Sequence, residues 1–327
     1  MHVSDSAAPS RTAVAEGQDV TVRVPATSAN LGPGFDSLGL AVGLFDTVRV
    51  RTVGEPGTTV SITGEGAGTL PTDGTHLVVR TIRLTVEAAG YSLPGLRLDA
   101  DNVIPHGRGL GSSASAIVSG VLAGNALLPP EHRLDAAGLL DLCSRLEGHP
   151  DNVAPALAGG LAISWEEAGT FRSVTAPVHP DIIPVAAVPA NELSTESARG
   201  LLPAAVPHPA AAANSGRAAL LVHALAADPA LLPEGTRDFL HQDYRAEAEA
   251  MAPSAALMAH LRANGLAAVI SGAGPTVMAL ANGTDQARSA EELITEYLTA
   301  AGTTQFWRVL RLSVDRDGAR VEEHQRY

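Results

Sequence analysis

Apolar residues divide the chain into short alternating runs and longer runs of helical spacing. Residues 21–27 alternate through Val22 and Val24 as a half-buried strand does, then break at Ser28-Ala29-Asn30-Leu31-Gly32-Pro33-Gly34. Alternation returns over 46–53 through Val48 and Val50, and 60–62 form a third short strand. Residues 75–89 carry apolar side chains at helical spacing and stop at Gly90, a C-cap. The stretch 96–104 reads as a strand running into Pro105. A glycine-rich segment follows, and beyond it Ala114, Ile117, Val118, Val121 and Leu122 share one helical face. A helix over 135–147 ends at Gly148-His149-Pro150, and a strand at 161–165 follows Gly159-Gly160.

The second half opens on a strand at 182–188, followed by an Ala- and Pro-rich stretch (203–235) predicted to form short helices and loops. A helix at 253–264 ends at Gly265, and the apolar runs 267–271 and 276–281 flank Gly272-Ala273-Gly274-Pro275 as in a hairpin. A helix at 286–301 and a strand at 306–314 complete the pattern. This order predicts an α+β fold with a split βαβ arrangement in its second half. With 327 residues, two domains are expected: a tail at 1–17, a first domain at 18–169 and a second at 170–327.

Composition narrows the chemistry. The net charge of −13 argues against a nucleic-acid groove, so an anionic ligand must be met by a few placed cations. All 22 basic residues are arginine. Without lysine there is no Walker A loop, no Schiff-base site and no protein-kinase strand lysine. Cys143, the single cysteine, sits in an apolar helical run and reads as packing. The polar first 17 residues and the lack of an apolar run of about 20 residues predict a cytoplasmic chain with no membrane partner.

The segment Pro105-His106-Gly107-Arg108-Gly109-Leu110-Gly111-Ser112-Ser113-Ala114-Ser115 is the main candidate for chemistry. Glycines at every second residue let consecutive N–H groups turn toward one anion, and the next helix adds its own free N–H groups. By itself the pattern fits a flexible loop with serine caps equally well. Its spacing does not fit a dinucleotide-binding GxGxxG.

Further segments decide between these. Residues 25–36, the loop 105–115 and Ser271-Gly272-Ala273-Gly274-Pro275-Thr276 resemble, in order, the three motifs of the GHMP small-molecule kinases. Glu147-Gly148-His149-Pro150-Asp151-Asn152, Leu193-Ser194-Thr195-x-x-x-Arg199 and His241-Gln242-x-Tyr244-Arg245 are similar to those of the homoserine kinase family within it. The resemblance implies a GHMP kinase fold, an N-terminal domain like the second domain of ribosomal protein S5 and a ferredoxin-like C-terminal domain. It also implies phosphorylation of L-homoserine by ATP with Mg²⁺ and leaves a homodimer open.

Site roles follow from the resemblance. Residues 105–115 would bind ATP, and Glu147 with Ser112 or Ser113 would hold Mg²⁺, Asp141 being a rival ligand. Arg199 and Arg245 would bind the substrate carboxylate, Asp36 and Asp151 its ammonium, with Asn30 and His149 lining the pocket. Thr195 would lie near the reacting hydroxyl, and Asn30, Thr195 and Asn152 are the implied catalytic residues. Several superfamily members have an aspartate base where this chain has Asn152, an amide that takes no proton at neutral pH. His76-Leu77-Val78 stands where the family often has Asn-Leu-Val beside the adenine.

Overall fold

The structure, a computed structural model, describes residues 12–324; the side chain of Thr195 lies outside the described residues. Most of the expected tail is likewise outside them. Its described end is tethered, for Thr12–Ala13 pairs with Tyr91–Ser92 and Val14 is buried.

The first sheet is built on a long strand, Leu38–Val53, which joins the expected strand at 46–53 to an apolar stretch before it. Asp19–Ala29 runs antiparallel beside it, with Val20, Val22 and Val24 on the buried face. The register slips between Pro25 and Ala26, opposite Phe45 and Val42, so that Gly43 and Leu44 have no partner in Asp19–Ala29, and the Gly43 N–H donates instead to the Ser313 carbonyl (2.8 Å). Its far half pairs with Gly95–Asn102, whose other neighbour Thr58–Gly64 is the parallel partner across the helix Leu77–Ala88. Its near half pairs with Leu161–Glu167, and Thr170–Ala176 continues the sheet.

The expected division at 169/170 thus falls inside a hairpin. The strand Arg320–His324 also returns from the far end of the chain to pair with Asp19–Ala29. The helices Leu77–Ala88, Ser112–Ala126 and Ala136–Glu147 cover this sheet. Ser112–Ala126 is buried nearly all round rather than on one face. Asp135 caps the helix Ala136–Glu147, its side chain accepting from the Gly138 N–H, and Gly148 ends it in the left-handed conformation.

The second sheet runs Ala267–Ile270, Val277–Asn282, Ile182–Pro189, Trp307–Arg311, all antiparallel. Numbered in chain order from Ile182–Pro189, the strands stand 2-3-1-4, the arrangement of a βαββαβ unit. One face packs on the helices Ala252–Ala263 and Gly283–Ala300. The other face shares a core with the first domain through Leu31, Leu40, Ile104, Leu110 and Leu161. Burial on both faces explains why the first three of these strands read as continuous apolar runs, whereas Trp307–Arg311, at the sheet edge, carries two arginines. The stretch expected to hold short helices and loops contains one 19-residue helix, His208–Ala226. Among the described residues no helix is long and apolar enough to cross a membrane.

Candidate active site

The strand Gly95–Asn102 and the helix Ser112–Ala126 are joined by the glycine loop, in which Gly107, Gly109 and Gly111 have φ of 64°, 76° and 73°. Glycine takes these values without strain. Gly111 is also the N-cap of the helix and offers no side chain, so the first helical N–H groups keep their capacity for an anion. A cavity of about 120 Å³ lies here, lined by the three glycines, Ser112, Ser113, Glu147 and Asn152. An adjoining cavity of about 320 Å³ shares Ser112 and Ser113 but is walled by Leu70, Pro71, Leu77, Val78 and Ala116. His76 borders it, with Nδ1 buried and unpartnered; burial, helped by the nearby His106, holds its ring below the usual histidine range.

The three glycine-bearing segments are bonded into one floor. The Thr27 N–H donates to the Leu110 carbonyl (3.1 Å) and the Ser271 hydroxyl to the Gly109 carbonyl (2.6 Å). The Gly272 N–H donates to the Ala29 carbonyl (3.0 Å), and Asn30 Nδ2 to the Gly272 carbonyl (2.9 Å). Not every residue of 105–115 is turned to the cavities. Leu110 and Ala114 are fully buried, whereas Ser115 borders the larger cavity and donates to Asp46, which borders it too. The Arg108 guanidinium donates to the carbonyls of His106, Pro189 and Ala190 and lies 3.4 Å from Glu192 Oε1, and so braces the loop against the second sheet.

Glu147 accepts from the Ser113 hydroxyl (2.8 Å). Burial pushes its carboxyl up; the Ser113 bond and His149 oppose this, and Asp151 adds to it. A carboxylate so placed, beside two hydroxyls, suits a hard divalent cation that takes its remaining oxygens from phosphate and water. Asp141 is engaged elsewhere: Oδ2 accepts from Arg145 Nε (2.7 Å) and Oδ1 from the Phe171 N–H (3.0 Å). Cys143 is buried and its thiol is pushed up to about 12, as the packing reading requires.

Beyond the floor, charged side chains converge around Phe35. Arg199 makes a bidentate pair with Asp36 (3.0 and 2.7 Å), and it and Arg245 both approach the Phe35 ring, their guanidinium carbons 5.8 and 5.6 Å from the ring centroid. Arg245 is only 2% exposed. Its Nη1 donates to the Gly272 carbonyl (3.0 Å) and to His241 Nδ1 (3.1 Å), Nε has no partner, and among the described residues no carboxylate comes within salt-bridge distance. Burial first and Arg199 second lower its affinity for its proton.

Sequence reasoning gave no role to His241. Its Nε2 lies 2.7 Å from the Gly32 carbonyl, a contact that only N–H can make, so Nδ1 is the acceptor that orients Arg245. Burial holds the ring below the usual histidine range, with Asp238 pulling the other way. The i,i+4 spacing of His241 and Arg245 was the available signal.

Asn30 accepts the Asp36 N–H at Oδ1 (2.9 Å), so both ends of its amide hold the 30–36 loop in place. His149 Nδ1 meets the buried Asp151 at 2.6 Å. Asn152 Oδ1 accepts from the Thr27 hydroxyl (2.8 Å), another contact the sequence did not announce. Thr195 begins the short helix Thr195–Gly200 that carries Arg199; its side chain is not among those described.

Residues 76–160 match the family model of the GHMP kinases N terminal domain, and 220–299 that of the GHMP kinases C terminal. A homoserine kinase of Streptomyces coelicolor is 53% identical over 92% of this chain and 94% of its own length. The chain belongs to the homoserine kinase family. A second family member, from Leifsonia xyli subsp. xyli, is 50% identical over 95% of this chain and 94% of its own. The crystal structure of the homoserine kinase from Cytophaga hutchinsonii superposes with a TM-score of 0.80 at 29% identity, covering 93% of this chain and 97% of that one. Family membership makes the chain an ATP-dependent kinase acting on an alcohol group, with the GHMP kinase fold of two α+β domains.

Proposed function

We propose that the chain transfers the γ-phosphoryl group of ATP to the side-chain hydroxyl of L-homoserine, giving O-phospho-L-homoserine on the route to threonine. The observation that carries this reading is Arg245, a buried cation without a carboxylate partner, set beside Arg199, Asp36 and Asp151. A neutral alcohol or a sugar supplies no charge for it. The carboxylate of an amino acid does, and Arg199 can turn from Asp36 to complete the clamp. Asp36 and Asp151 then face the ammonium.

In this reading the triphosphate rests on the glycine loop and the helix start at Ser112, and the base enters the apolar cavity beside His76. Glu147 with Ser112 or Ser113 would hold Mg²⁺, which would supply charge neutralisation to the triphosphate. Glu147→Gln, which keeps the shape and removes the charge, is expected to raise the Mg²⁺ needed for half-maximal rate about tenfold. The homoserine KM should be unchanged; a Mg²⁺ titration of initial rates checks both.

Asn152 acts as a donor in this scheme. The Thr27 hydroxyl occupies Oδ1, leaving the amide N–H groups available to a reacting oxygen or phosphate. No side chain removes the homoserine proton, which passes to a phosphate oxygen as the O–P bond forms and ADP leaves. Asn152→Ala is therefore expected to lower kcat about tenfold while the pH–rate profile keeps its shape. Loss of a titrating limb in that profile would count against this mechanism.

Coupled measurement of ADP release with L-homoserine, L-serine, mevalonate and galactose tests the substrate assignment. Turnover should be confined to homoserine, and Arg199→Ala should raise its KM. Equal turnover of an acceptor lacking a carboxylate would sink the reading.

A further inference from the structure

The alternation that buries Val48 and Val50 puts Asp46 on the same inward face, opposite Val24 across the strand pair. The carboxylate is only 6% exposed and, among the described residues, bonds to no cation. Both its oxygens nevertheless accept hydrogen bonds, and the residue borders the cavity of about 320 Å³. Oδ1 accepts the N–H groups of Val103 (2.7 Å) and Ile104 (2.9 Å), and Oδ2 accepts the Ser115 hydroxyl (3.1 Å). Burial raises its carboxyl above the ordinary aspartate range, with these three bonds pulling the other way.

The partners bracket the glycine loop. Val103 and Ile104 lead into Pro105, and Ser115 stands in the first turn of the helix that begins at Ser112. One side chain, from a strand that is part of neither end, fixes the two ends of the loop relative to each other. A valine at 46 would continue the apolar face without the cost of a buried charge, but it could hold neither end.

We propose that Asp46 is the positioning residue of the phosphate loop, a buried strut that sets the loop's two ends before a polyphosphate arrives. Three glycines in five residues give this backbone much freedom to lose on binding, and a fixed frame removes part of that loss in advance. The proposal rests on reading the loop as the nucleotide site.

The test uses the full chain with Asp46→Ala, Asp46→Asn and Ser115→Ala, and titrates Mg-ADP and, separately, pyrophosphate by calorimetry. Asp46→Ala should weaken both ligands by about tenfold or more. The homoserine KM at saturating ATP should stay within about twofold, as expected of a local effect. Asp46→Asn should recover most of the affinity, because the amide oxygen still accepts both N–H groups and the amide nitrogen can donate to Ser115. Hydrogen exchange in 103–113 should quicken in the alanine variant and not in the asparagine one.

Wild-type affinity in Asp46→Ala overturns the strut. So does a loss confined to ADP, which would place Asp46 at the base, and so does a fall in nucleotide affinity and Tm together with a rise in homoserine KM, the mark of general destabilisation. If Asp46→Ala does not fold, Ser115→Ala decides, with about a threefold weakening expected and an unchanged affinity overturning the proposal. Failure of the wild-type chain to bind ADP at all would instead defeat the nucleotide reading of the loop.

Discussion

Replacing Arg245 with methionine is expected to lower kcat/KM for L-homoserine by about 10³-fold while leaving the KM for ATP within about twofold. Removing one partner of a buried, hydrogen-bonded charge pair costs roughly 2–5 kcal/mol, and about 4 kcal/mol corresponds to that factor. The folded state should change far less. The substitution removes a buried cation that has no carboxylate partner, a relief, and leaves His241 Nδ1 without its donor, a cost. With the two opposed, Tm should move by no more than about 5 °C. Steady-state kinetics in both substrates together with a thermal melt check the pairing. A tenfold or smaller loss, or a matching rise in the ATP KM, would remove Arg245 from the carboxylate site.

Gly109→Ala should weaken Mg-ADP binding by about 10²-fold. A Cβ there would stand 2.2 Å from the Ser271 carbonyl oxygen and 3.0 Å from that of Gly274, both backbone atoms, on a residue whose φ is +76°. The φ alone costs about 1–2 kcal/mol in a residue with a side chain. The clash adds more, because the loop and the 271–276 turn must separate, breaking the floor on which the phosphates rest. Gly265→Ala is the control: its φ is +79°, but nothing lies within 4 Å of the added Cβ. It should cost stability of that order and leave nucleotide affinity alone. Equal nucleotide affinities in the two variants would show that the close approach of these two segments does not support the site.

The sequence made the local pieces legible and left their meeting points hidden. Strands and helices with strong periodicity lay where expected: Gly95–Asn102, Ala136–Glu147 and the hairpin Ala267–Ile270 with Val277–Asn282. The first half of Leu38–Val53 was missed because, on both faces, its residues read as apolar or glycine, so no alternation marks it. His208–Ala226 was missed because alanines on every side leave no amphipathic face, and the prolines nearby suggested loops. Arg320–His324 is exposed along its whole length and pairs at a sheet edge, where no apolar pattern is required.

The site shows the same division. Glycine spacing and the motif residues placed the loop, Glu147 and the two arginines. That Arg199 already grips Asp36, that Arg108 faces carbonyls, and that Thr27 orients Asn152 depend on partners 163, 81 and 125 positions apart. Contacts at such separation carry no local periodicity.

The return of Arg320–His324 to Asp19–Ala29 ties the order of synthesis to the order of assembly. The outer edge of Asp19–Ala29 stays uncovered until Arg320–His324 has been made, some tens of seconds later at about 5–20 residues per second. Until then the nascent first sheet presents an unpaired backbone edge, the kind of surface that recruits strands from other chains. The two halves are therefore poor candidates for separate expression: a fragment cut at 169 would carry that edge permanently, together with the apolar face that the second sheet covers.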